Sequence, residues 1–381
     1  RLFFALSAAL GLVVTVADTT NAFQQSPPPS EKCYLAVDDA YRSWHRKRFG
    51  MDVNPDTHVV PVERAFQGHP EAGALWERMI VGILEGDELG FVSTTHERNL
   101  YRGTIDGALV LVCRQVDDFA IATASPATAE KLIAVINKHA TTTSKGIGVK
   151  DEQGIGLRYN GIDIHQTRDY TKLSCETYID RVLQTHGWEK PAANESDRFD
   201  VVPLPVDSVE TLLKETGPSE GTKEHRELEE KVGFGYRTLL GELMYAFVVC
   251  RLDIGFAVTL LARFSQSPSR SHYMALKSVT RYLRRTKDWG LVYWRQAPLD
   301  ALPVVPLEHL PVDASLPSYP SHELLQLVGQ VDAAHATDLA TRRSVTGLVF
   351  SLAGGAIAYK SKLQATAATG STEGEFIGAV Q

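Results

Sequence analysis

Hydrophobic runs in the first third of the chain are short and change period, which predicts alternating helices and strands. Residues 2–10 are rich in helix formers, and the β-branched run LVVTVA that ends before Asp18 favours a buried strand. Helical spacing returns in GALWERMIVGIL and in SPATAEKLIAVINKHA, where Ser125 suits the N-cap and Pro126 the first helical position. The charged segment 41–57 lacks a regular pattern. These features predict an α+β fold.

The stretch ALVLVCRQVDDFAIATA, which begins at Ala108, contains two apolar runs separated by the adjacent residues Asp117 and Asp118. Apolar runs around a short polar turn predict a β-hairpin. Aspartate is common in turns because it tolerates turn conformations, so an acidic tip needs no special function. Alternatively, two carboxylates at a hairpin tip can bind a hard divalent cation that takes part in chemistry. A third carboxylate from elsewhere in the chain would favour this second interpretation.

The second half of the chain predicts further elements. The segments GLRYNGIDIHQ and YTKLSCETYIDRVLQTHGW are typical of a strand pair followed by a helix. Residues 190–232 are polar and predict a tether, and residues 298–320 form a proline-rich connector. From Leu327 the pattern alternates over two or three strands, and a helix begins at STEGEF. The last of these elements form a separate, incomplete unit.

Basic residues dominate the two or three helices predicted between Tyr236 and Arg295. That segment contains ten positive and three negative side chains, whereas the whole chain carries a formal charge of -7. A solvated helix face is the usual explanation for such a run. Because aromatic residues are interleaved with the charges, the segment also suits a nucleic-acid backbone. The candidate contacts are Lys277, Arg281, Arg284 and Arg285.

The composition, with 44% hydrophobic and 22% charged residues in 381, is that of an ordinary globular protein. The acidic balance, with a pI near 6.0, excludes a uniformly basic surface, so nucleic-acid binding would need a local positive region. The four cysteines are widely separated and form neither a CxxC pair nor a dense disulfide framework. Their spacing favours a reducing compartment.

The first residues also resemble a secretory signal, since one positive charge precedes an apolar run from Leu2 to Ala17. Gly11 divides this run into a helix-like and a strand-like half, so a helix followed by a buried strand fits equally well. No stretch reaches the roughly 20 apolar residues that a membrane-spanning helix needs. We therefore interpret the signal as false and expect an intracellular protein, in a cytoplasmic particle or the nucleus, without membrane contact.

The order of motifs resembles the polymerase region of a copia-type retrotransposon polyprotein. QVDDFAIAT resembles the family's Tyr-Val-Asp-Asp signature, and ADTTNAF resembles its Met-Asp-Val-Lys-Thr-Ala-Phe, which supplies the third carboxylate at Asp18. RAFQGHPEAGALWE and YNGIDI are similar to two further segments of the family, and residues 236–293 are similar to its connection region. VDAAHATDLATRRSVTGLVFSLAGGAIAYKSK with STEGEF resembles the opening of its RNase H domain.

This resemblance implies a reverse-transcriptase palm-like sheet with helices over residues 1–165, with the N-terminal fingers missing. It implies a helical thumb or connection region over residues 166–320 and a truncated RNase H-like α/β unit over residues 321–381. The implied function is RNA-directed DNA polymerase with an RNase H region. Implied partners are an RNA template, a DNA primer, an RNA–DNA hybrid, deoxynucleoside triphosphates and other parts of the Pol polyprotein.

The resemblance also implies the site residues. Asp18, Asp117 and Asp118 would hold two Mg²⁺ (or Mn²⁺) ions for nucleotidyl transfer, since Mg²⁺ prefers oxygen ligands. Asp332 and Glu375 would hold metal in the RNase H unit, where Glu375 is preferred to Glu373 because GEFIGAV matches the fold's helix start.

Two departures from the family lie beside the implied nucleotide site. Gln115 stands where the family has Tyr, and Glu71 stands where it has Gln, so a carboxylate there would repel a triphosphate. The family's fingers segment and a later RNase H aspartate have no counterpart in the sequence. We therefore expect no RNase H activity and little polymerase activity from this chain as it stands. The alternative function is a non-catalytic retrotransposon remnant that keeps the fold and some nucleic-acid binding.

Overall fold

A computed structural model of the chain describes residues 1–147, 157–191, 202–299, 302, 324–338 and 341–380. The described residues form a mixed α+β structure. Its helices are α1 (Leu2–Ala9), α2 (Ala22–Gln25), α3 (Asp39–Phe49), α4 (Ala72–Glu85), α5 (Pro126–Asn137), α6 (Glu176–His186), α7 (Val206–Lys214), α8 (Lys223–Val232), α9 (Tyr236–Val249), α10 (Gly255–Ala262), α11 (Arg270–Arg285) and α12 (Ser371–Val380). Its strands are β1 (Val13–Thr19), β2 (Cys33–Ala36), β3 (Val59–Val62), β4 (Val92–Ser93), β5 (Leu100–Ile105), β6 (Ala108–Gln115), β7 (Asp118–Thr123), β8 (Thr142–Gly146), β9 (Leu157–Tyr159), β10 (Ile162–Gln166), β11 (Tyr170–Ser174), β12 (Gly290–Trp294), β13 (Val328–Ala334), β14 (Val345–Leu352) and β15 (Gly355–Leu363).

The α+β class predicted from the sequence is confirmed. The chain divides into two compact units, one formed by Val13–Ile147 and the other by Arg1–Leu12 with Gly148–Gln381. Most of the proline-rich connector and the 320/321 boundary lie outside the described residues. Among the helices that are described, none combines the length and apolar character that crossing a membrane requires.

The unit Val13–Ile147 is built on a six-stranded antiparallel sheet with the strand order β4-β5-β6-β7-β1-β8. Its core joins the sheet to α4 and α5 through Trp76, Ile80, Phe119, Ile121 and Leu132, all of which are buried. The predicted hairpin and the helix capped at Ser125 are both present, and the Ser125 side chain accepts a hydrogen bond from the backbone of Ala127. Every residue of β1 except Asp18 is buried, which makes it an interior strand.

The second unit contains a four-stranded sheet, β12-β11-β10-β9, and a three-stranded sheet, β13-β14-β15. Asn160 and Gly161 join β9 to β10 with positive φ angles of 48° and 77°, as a tight two-residue hairpin turn requires. The predicted helix over residues 2–10 is confirmed as α1, whose Phe4 packs edge-on against Tyr159 of the same unit. Helices α9 to α11 contribute eighteen buried residues to this unit.

Two regions predicted to lack regular structure contain helices. The predicted tether includes α7 and α8, and α8 begins at Thr222, whose hydroxyl caps the His225 amide, and ends at Gly233 in the left-handed conformation. Leu212 and His225 from these helices are buried against the unit. The charged segment after residue 38 forms α3, which begins after Asp38 and ends before Gly50 with φ of 71°. Capping residues define α3 and α8, which contain few apolar residues and therefore show little helical hydrophobic periodicity.

Candidate functional site

The hairpin tip between β6 and β7 lies beside the end of β1. Strand β1 pairs with β7 in antiparallel register, so that Asp18 and Asp118 are directly opposed. The Thr19 amide donates a hydrogen bond of 2.9 Å to the Asp117 carbonyl, which fixes the tip to this strand. Residues about one hundred positions apart in the sequence therefore meet at one end of the sheet. Like charges opposed on neighbouring strands destabilise a sheet unless a cation balances them.

Lys145 supplies that cation. Its Nζ lies 3.1 Å from Asp18 Oδ1 and 3.4 Å from Asp118 Oδ1. The register of β8 on β1 shifts at this point, since Gly146 faces Val16 whereas Ser144 faces Ala17, which leaves Lys145 as the extra residue. Such a bulge commonly re-aims a side chain. The sequence analysis missed Lys145 because its role depends on the pairing of β8 with β1.

The two carboxylates and the lysine influence one another's protonation. Burial raises the pKa of Asp118, Lys145 lowers it, and the neighbouring Asp18 and Asp117 charges raise it, with a net upward shift. Burial lowers the pKa of Lys145, but its bonds to Asp18 and Asp118 outweigh this effect and the net shift is upward. Lys145 is therefore held firmly in its charged form while it bridges the pair.

The hairpin turn itself is strained. Val116 has a φ of 56°, a left-handed conformation that is unfavourable for a β-branched residue. Its carbonyl accepts hydrogen bonds from Trp76 Nε1 at 2.7 Å and from Arg114 Nη1 at 3.3 Å. Strain of this kind persists where the surroundings over-determine the backbone, and it is concentrated at functional sites. Trp76 and Arg114 hold the two aspartates at a defined position.

Arg114 is a buried support for this turn. Its side chain is 1% exposed and lies 2.5 Å from Glu77 Oε2, and its Nη2 also donates to Asn99 Oδ1 at 2.8 Å. A buried guanidinium is tolerated when its charge is paired in this way, although the Nε of Arg114 is buried without a hydrogen-bond partner. In the sequence, Arg114 stands out only as a charged residue within an apolar strand. That exception was the one indication of its role.

Asp117 faces a cavity rather than the lysine pair. The cavity has a volume of about 330 Å³ and is lined by Asn21, Phe23, Gln67, Val116 and Asp117, among others. This volume lies at the lower end of small-ligand sites, which are roughly 300 to 1,000 Å³. A polar ligand could therefore occupy the space beside the Asp117 carboxylate.

Gln115 lies beside the paired aspartates, whereas Glu71 is held by hydrogen bonds away from the Asp117 cavity. Gln115 ends β6, is exposed and pairs in register with Asp118, so it lies at the site. Glu71 precedes α4 and accepts hydrogen bonds from the Ser30 amide, at 2.7 Å, and from the Ser30 hydroxyl. These bonds lower the pKa of Glu71, and the residue is not among those that line the Asp117 cavity.

Among the described residues, no group of three or more His, Cys, Asp or Glu side chains is arranged to hold a metal ion. The oxygen donors of Asp18, Asp117 and Asp118 suit Mg²⁺ by their chemistry. In the structure, however, Asp18 and Asp118 form ion pairs with Lys145, and Asp117 lines a cavity. Metal binding here would require Lys145 to withdraw.

The second predicted pair, Asp332 and Glu375, lies on β13 and α12. Helix α12 packs on β13 and β14 through Gly374 and Gly378, beside Ala333 and Val331. Since side chains alternate along a strand, Asp332 projects from the opposite face, where it borders a cavity of about 440 Å³. Glu375 Oε1 instead accepts a bond of 3.3 Å from the Ala333 amide. No hydrogen bond or ion pair joins Asp332 to Glu375.

Glu373, the competing glutamate, has a structural role. Its carboxylate accepts hydrogen bonds of 2.6 Å from the amide and the hydroxyl of Thr369, just before α12 begins. These bonds lower the pKa of Glu373 and cap the start of the helix. Of the two glutamates, only Glu375 reaches β13.

The predicted nucleic-acid contacts on α11 are half-buried. Lys277 Nζ lies 5.0 Å from the centre of the Trp188 ring, and Arg284 Nη1 donates to the Trp188 carbonyl at 3.2 Å. Arg281 and Arg285 are likewise half-buried and take part in interactions within the chain. The basic run is thus largely engaged by the protein itself.

Comparison with known proteins adds a further observation. No family model matches the chain. The chain is 27% identical over 385 residues to the retrovirus-related Pol polyprotein from transposon TNT 1-94 of Nicotiana tabacum, an alignment that covers 100% of the chain. It is also 27% identical over 335 residues to the putative transposon Ty5-1 protein of Saccharomyces cerevisiae, which covers 86% of the chain and 90% of that protein. The chain is thus similar, at modest identity and across much of its length, to retrovirus-related Pol polyproteins of copia-type transposons.

The chain spans only 24% of the tobacco polyprotein. A third relative is the secreted RxLR effector protein 161 of Plasmopara viticola, which is 34% identical over 142 residues, 37% of this chain and 82% of that protein. The relatives thus include both a transposon polyprotein and a secreted effector protein.

Proposed function

We propose that the unit Val13–Ile147 carries the palm of an RNA-directed DNA polymerase and that nucleotidyl transfer takes place beside Asp18, Asp117 and Asp118. One observation carries this proposal: β1 and the β6–β7 hairpin bring Asp18 opposite Asp118, with Asp117 at the tip beside a cavity. Chemistry at a sheet edge needs carboxylates held by rigid elements, and the Trp76 and Arg114 contacts to the strained turn supply that rigidity.

Asp18, Asp117 and Asp118 are the residues that would hold Mg²⁺ or Mn²⁺, whose bound ions stabilise the attacking and leaving oxygens of a displacement. The protein's own part is positioning. Lys145 Nζ bridges Asp18 and Asp118 and holds these two carboxylates close together before a metal binds. Gln115 stands at the entrance in register with Asp118, and the Asp117 cavity offers polar groups from Asn21 and Gln67 to a ligand.

We also assign residues 321–381 as the opening of an RNase H-like unit, on the basis of the β13-β14-β15 sheet followed by α12. Glu375 lies at β13 but does not contact Asp332. Support for catalysis is therefore weaker here than at the polymerase site.

Primer extension tests the proposal. The purified chain should extend a DNA primer on an RNA template with Mg²⁺ or Mn²⁺. Asp117→Asn and Asp118→Asn should each lower the rate of extension at least about a hundredfold, because each removes a group that acts in the transition state. Asp106→Asn is the matched control, because Asp106 is an exposed aspartate in the neighbouring β5–β6 turn, where it pairs with Lys131. Equal activity in all three variants would exclude the site.

The alternative is a non-catalytic remnant that retains nucleic-acid binding. The Lys145 bridge favours it, since an ammonium held between two carboxylates already neutralises the pair that a metal would need. No extension by the parent chain or by Lys145→Met, with hybrid binding retained, would establish this alternative. Metal-dependent extension that improves in Lys145→Met would instead support a polymerase restrained by its lysine.

A further inference from the structure

Helix α3 is unusual because none of its eleven residues is buried. Its aromatic rings instead contact one another in tilted and edge-on pairs along the helix. Trp44 lies 5.5 Å from Tyr41 and 5.7 Å from Phe49 between ring centres, and His45 lies 4.8 Å from Phe49. Trp44 and Phe49 are each 53% exposed. A row of large rings thus faces outward on a helix that contributes nothing to the core.

Cations surround this row of rings. Arg46, Lys47 and Arg48 occupy the last turn, whereas the whole chain carries a formal charge of -7. Asp52 accepts hydrogen bonds from Arg42, at 3.1 Å, and from Arg46. Lys47 and Arg48 have no ion-pair partner in the part of the chain that the structure describes. Two fully charged side chains are therefore directed to solvent next to exposed rings.

The helix is held by its ends and not by packing. The Asp38 carboxylate accepts a bond of 2.7 Å from the Tyr41 amide, and Gly50 closes the last turn in the left-handed conformation. An isolated helix shorter than about 12 residues is marginal in water, so contact with a partner would stabilise it. The helix dipole explains why cations collect in the last turn, but it does not explain exposed tryptophan and phenylalanine.

The composition of α3 identifies the partner. Helices that bind a membrane surface or a protein groove usually combine aromatic side chains with aliphatic ones such as leucine along one apolar face. Helix α3 contains no Leu, Ile, Val or Met, and its exposed rings are interleaved with cations. Flat rings beside cations match bases beside phosphates, and every base offers a ring face for stacking. We propose that α3 is a binding site for single-stranded nucleic acid, with Trp44 and Phe49 stacking on bases and Lys47 and Arg48 contacting phosphates.

Fluorescence polarisation with a labelled single-stranded RNA of about 20 nucleotides tests this site. Trp44→Ala should weaken binding about 5- to 100-fold, the equivalent of one stacked base, and Trp44→Tyr should restore most of the affinity. Tyr34→Ala, which removes an exposed ring from β2 in the same unit, should leave the affinity unchanged. Because α3 buries nothing, thermal melts should show that all three variants fold as the parent does.

The salt dependence of binding tests the charged half of the site. Lys47→Glu with Arg48→Glu should flatten the slope of log K against log salt by about 1.4, since each phosphate contact on a single strand contributes about 0.7. Lys223→Glu with Lys231→Glu, which makes the same charge change on α8, should leave the slope as it is. Unchanged slope in the α3 variant, or unchanged affinity in Trp44→Ala, would overturn the proposal.

Two further outcomes separate this site from its alternatives. If Trp44→Ala abolishes binding to phosphatidylserine vesicles but not to RNA, α3 is a membrane-surface helix and the proposal is wrong. Asp117→Asn should abolish primer extension and leave RNA binding at α3 intact. Failure of the polymerase proposal and failure of the α3 proposal therefore give different results.

Discussion

Helices α3 and α11 are both basic and aromatic but have opposite surroundings. Both combine arginines and lysines with tyrosine and histidine, yet α11 buries eight of its sixteen residues and α3 buries none. On α11 the rings face inward, and its cations lie half-buried against neighbours such as Trp188. On α3 the rings face outward and two cations have no partner among the described residues. The shared basic and aromatic residues therefore do not decide whether such a helix packs in the fold or is available to a ligand; burial does.

The largest expected difference concerns the free energy of unfolding. Leu276 lies on the buried face of α11 and is fully buried, so Leu276→Ala should cost about 3 to 5 kcal/mol. Trp44→Ala on α3 removes a larger side chain, but that side chain is exposed, and the cost should stay within about 0.5 kcal/mol. Urea denaturation of both variants measures this. Equal destabilisation would mean that α3 is packed in solution.

A second difference concerns arginines that contact each helix. Arg251 is 1% exposed and binds Asp253 at 2.7 Å and the Thr286 carbonyl, at the end of α11, at 2.8 Å. Arg251→Met should cost about 2 to 4 kcal/mol, less than for a fully buried pair because Asp253 is 29% exposed. Arg46→Met on α3 breaks only the exposed pair with Asp52 and should cost about 1 kcal/mol or less. A cost above that for Arg46→Met would contradict the exposed position of α3.

The same two helices show what the sequence could predict. Tyr273, Leu276, Val279 and Leu283 follow helical spacing, so the buried face of α11 is visible in the sequence. Helix α3 contains no Leu, Ile, Val or Met, and only its capping residues, Asp38 and Gly50, indicated where it begins and ends. Periodicity reports burial, and a helix that buries nothing produces no such signal.

The candidate site was predictable to a similar degree. The hairpin with Asp117 and Asp118 is local in sequence and was predicted from its pattern. The position of Asp18 opposite Asp118 followed only from resemblance to a family, since it needs pairing between distant strands. Lys145 was not predicted, because its approach to both carboxylates depends on an irregularity where β8 meets β1. Long-range register and bulges are set by the whole sheet and leave no local signature.

A third prediction concerns pH and the start of α11. Burial lowers the pKa of His272, the Leu212 carbonyl and Glu215 oppose this, and the net shift is downward from 6.5. In its neutral form, Nδ1 accepts from the Ser269 amide at 2.8 Å and Nε2 donates to Leu212 at 2.9 Å. The unfolded chain binds the proton more readily, so this stability is present above about pH 6.5 and is lost as the pH falls through the lowered value.

His272→Gln isolates that effect, because glutamine at the third helical position can also bond back to a serine N-cap. Between about pH 6.5 and 5, the free energy of unfolding should fall less in the variant than in the parent. Denaturant titrations at several pH values measure this, and melts at pH 8 provide the reference for any packing cost. If the parent and the variant show the same pH dependence, His272 does not titrate as inferred.

The smallest expected difference is in the salt dependence of nucleic-acid binding, and it tests the comparison most directly. The sequence predicted phosphate contacts from the α11 arginines, but Arg284 already donates to the Trp188 carbonyl. We therefore expect Arg284→Glu with Arg285→Glu to change the slope of log K against log salt by less than one contact, about 0.7 on a single strand or about 0.9 on a duplex. Lys47→Glu with Arg48→Glu should change the single-strand slope by two contacts. Both double substitutions make the same change of charge. A difference between their slopes therefore reflects the surroundings of the two helices and not the number of charges removed.

A slope that flattens by two contacts in the α11 variant with an RNA–DNA hybrid would show that the α11 arginines leave their neighbours to bind phosphate. The half-buried positions seen here would then describe the protein without nucleic acid, and α3 and α11 would both be binding helices.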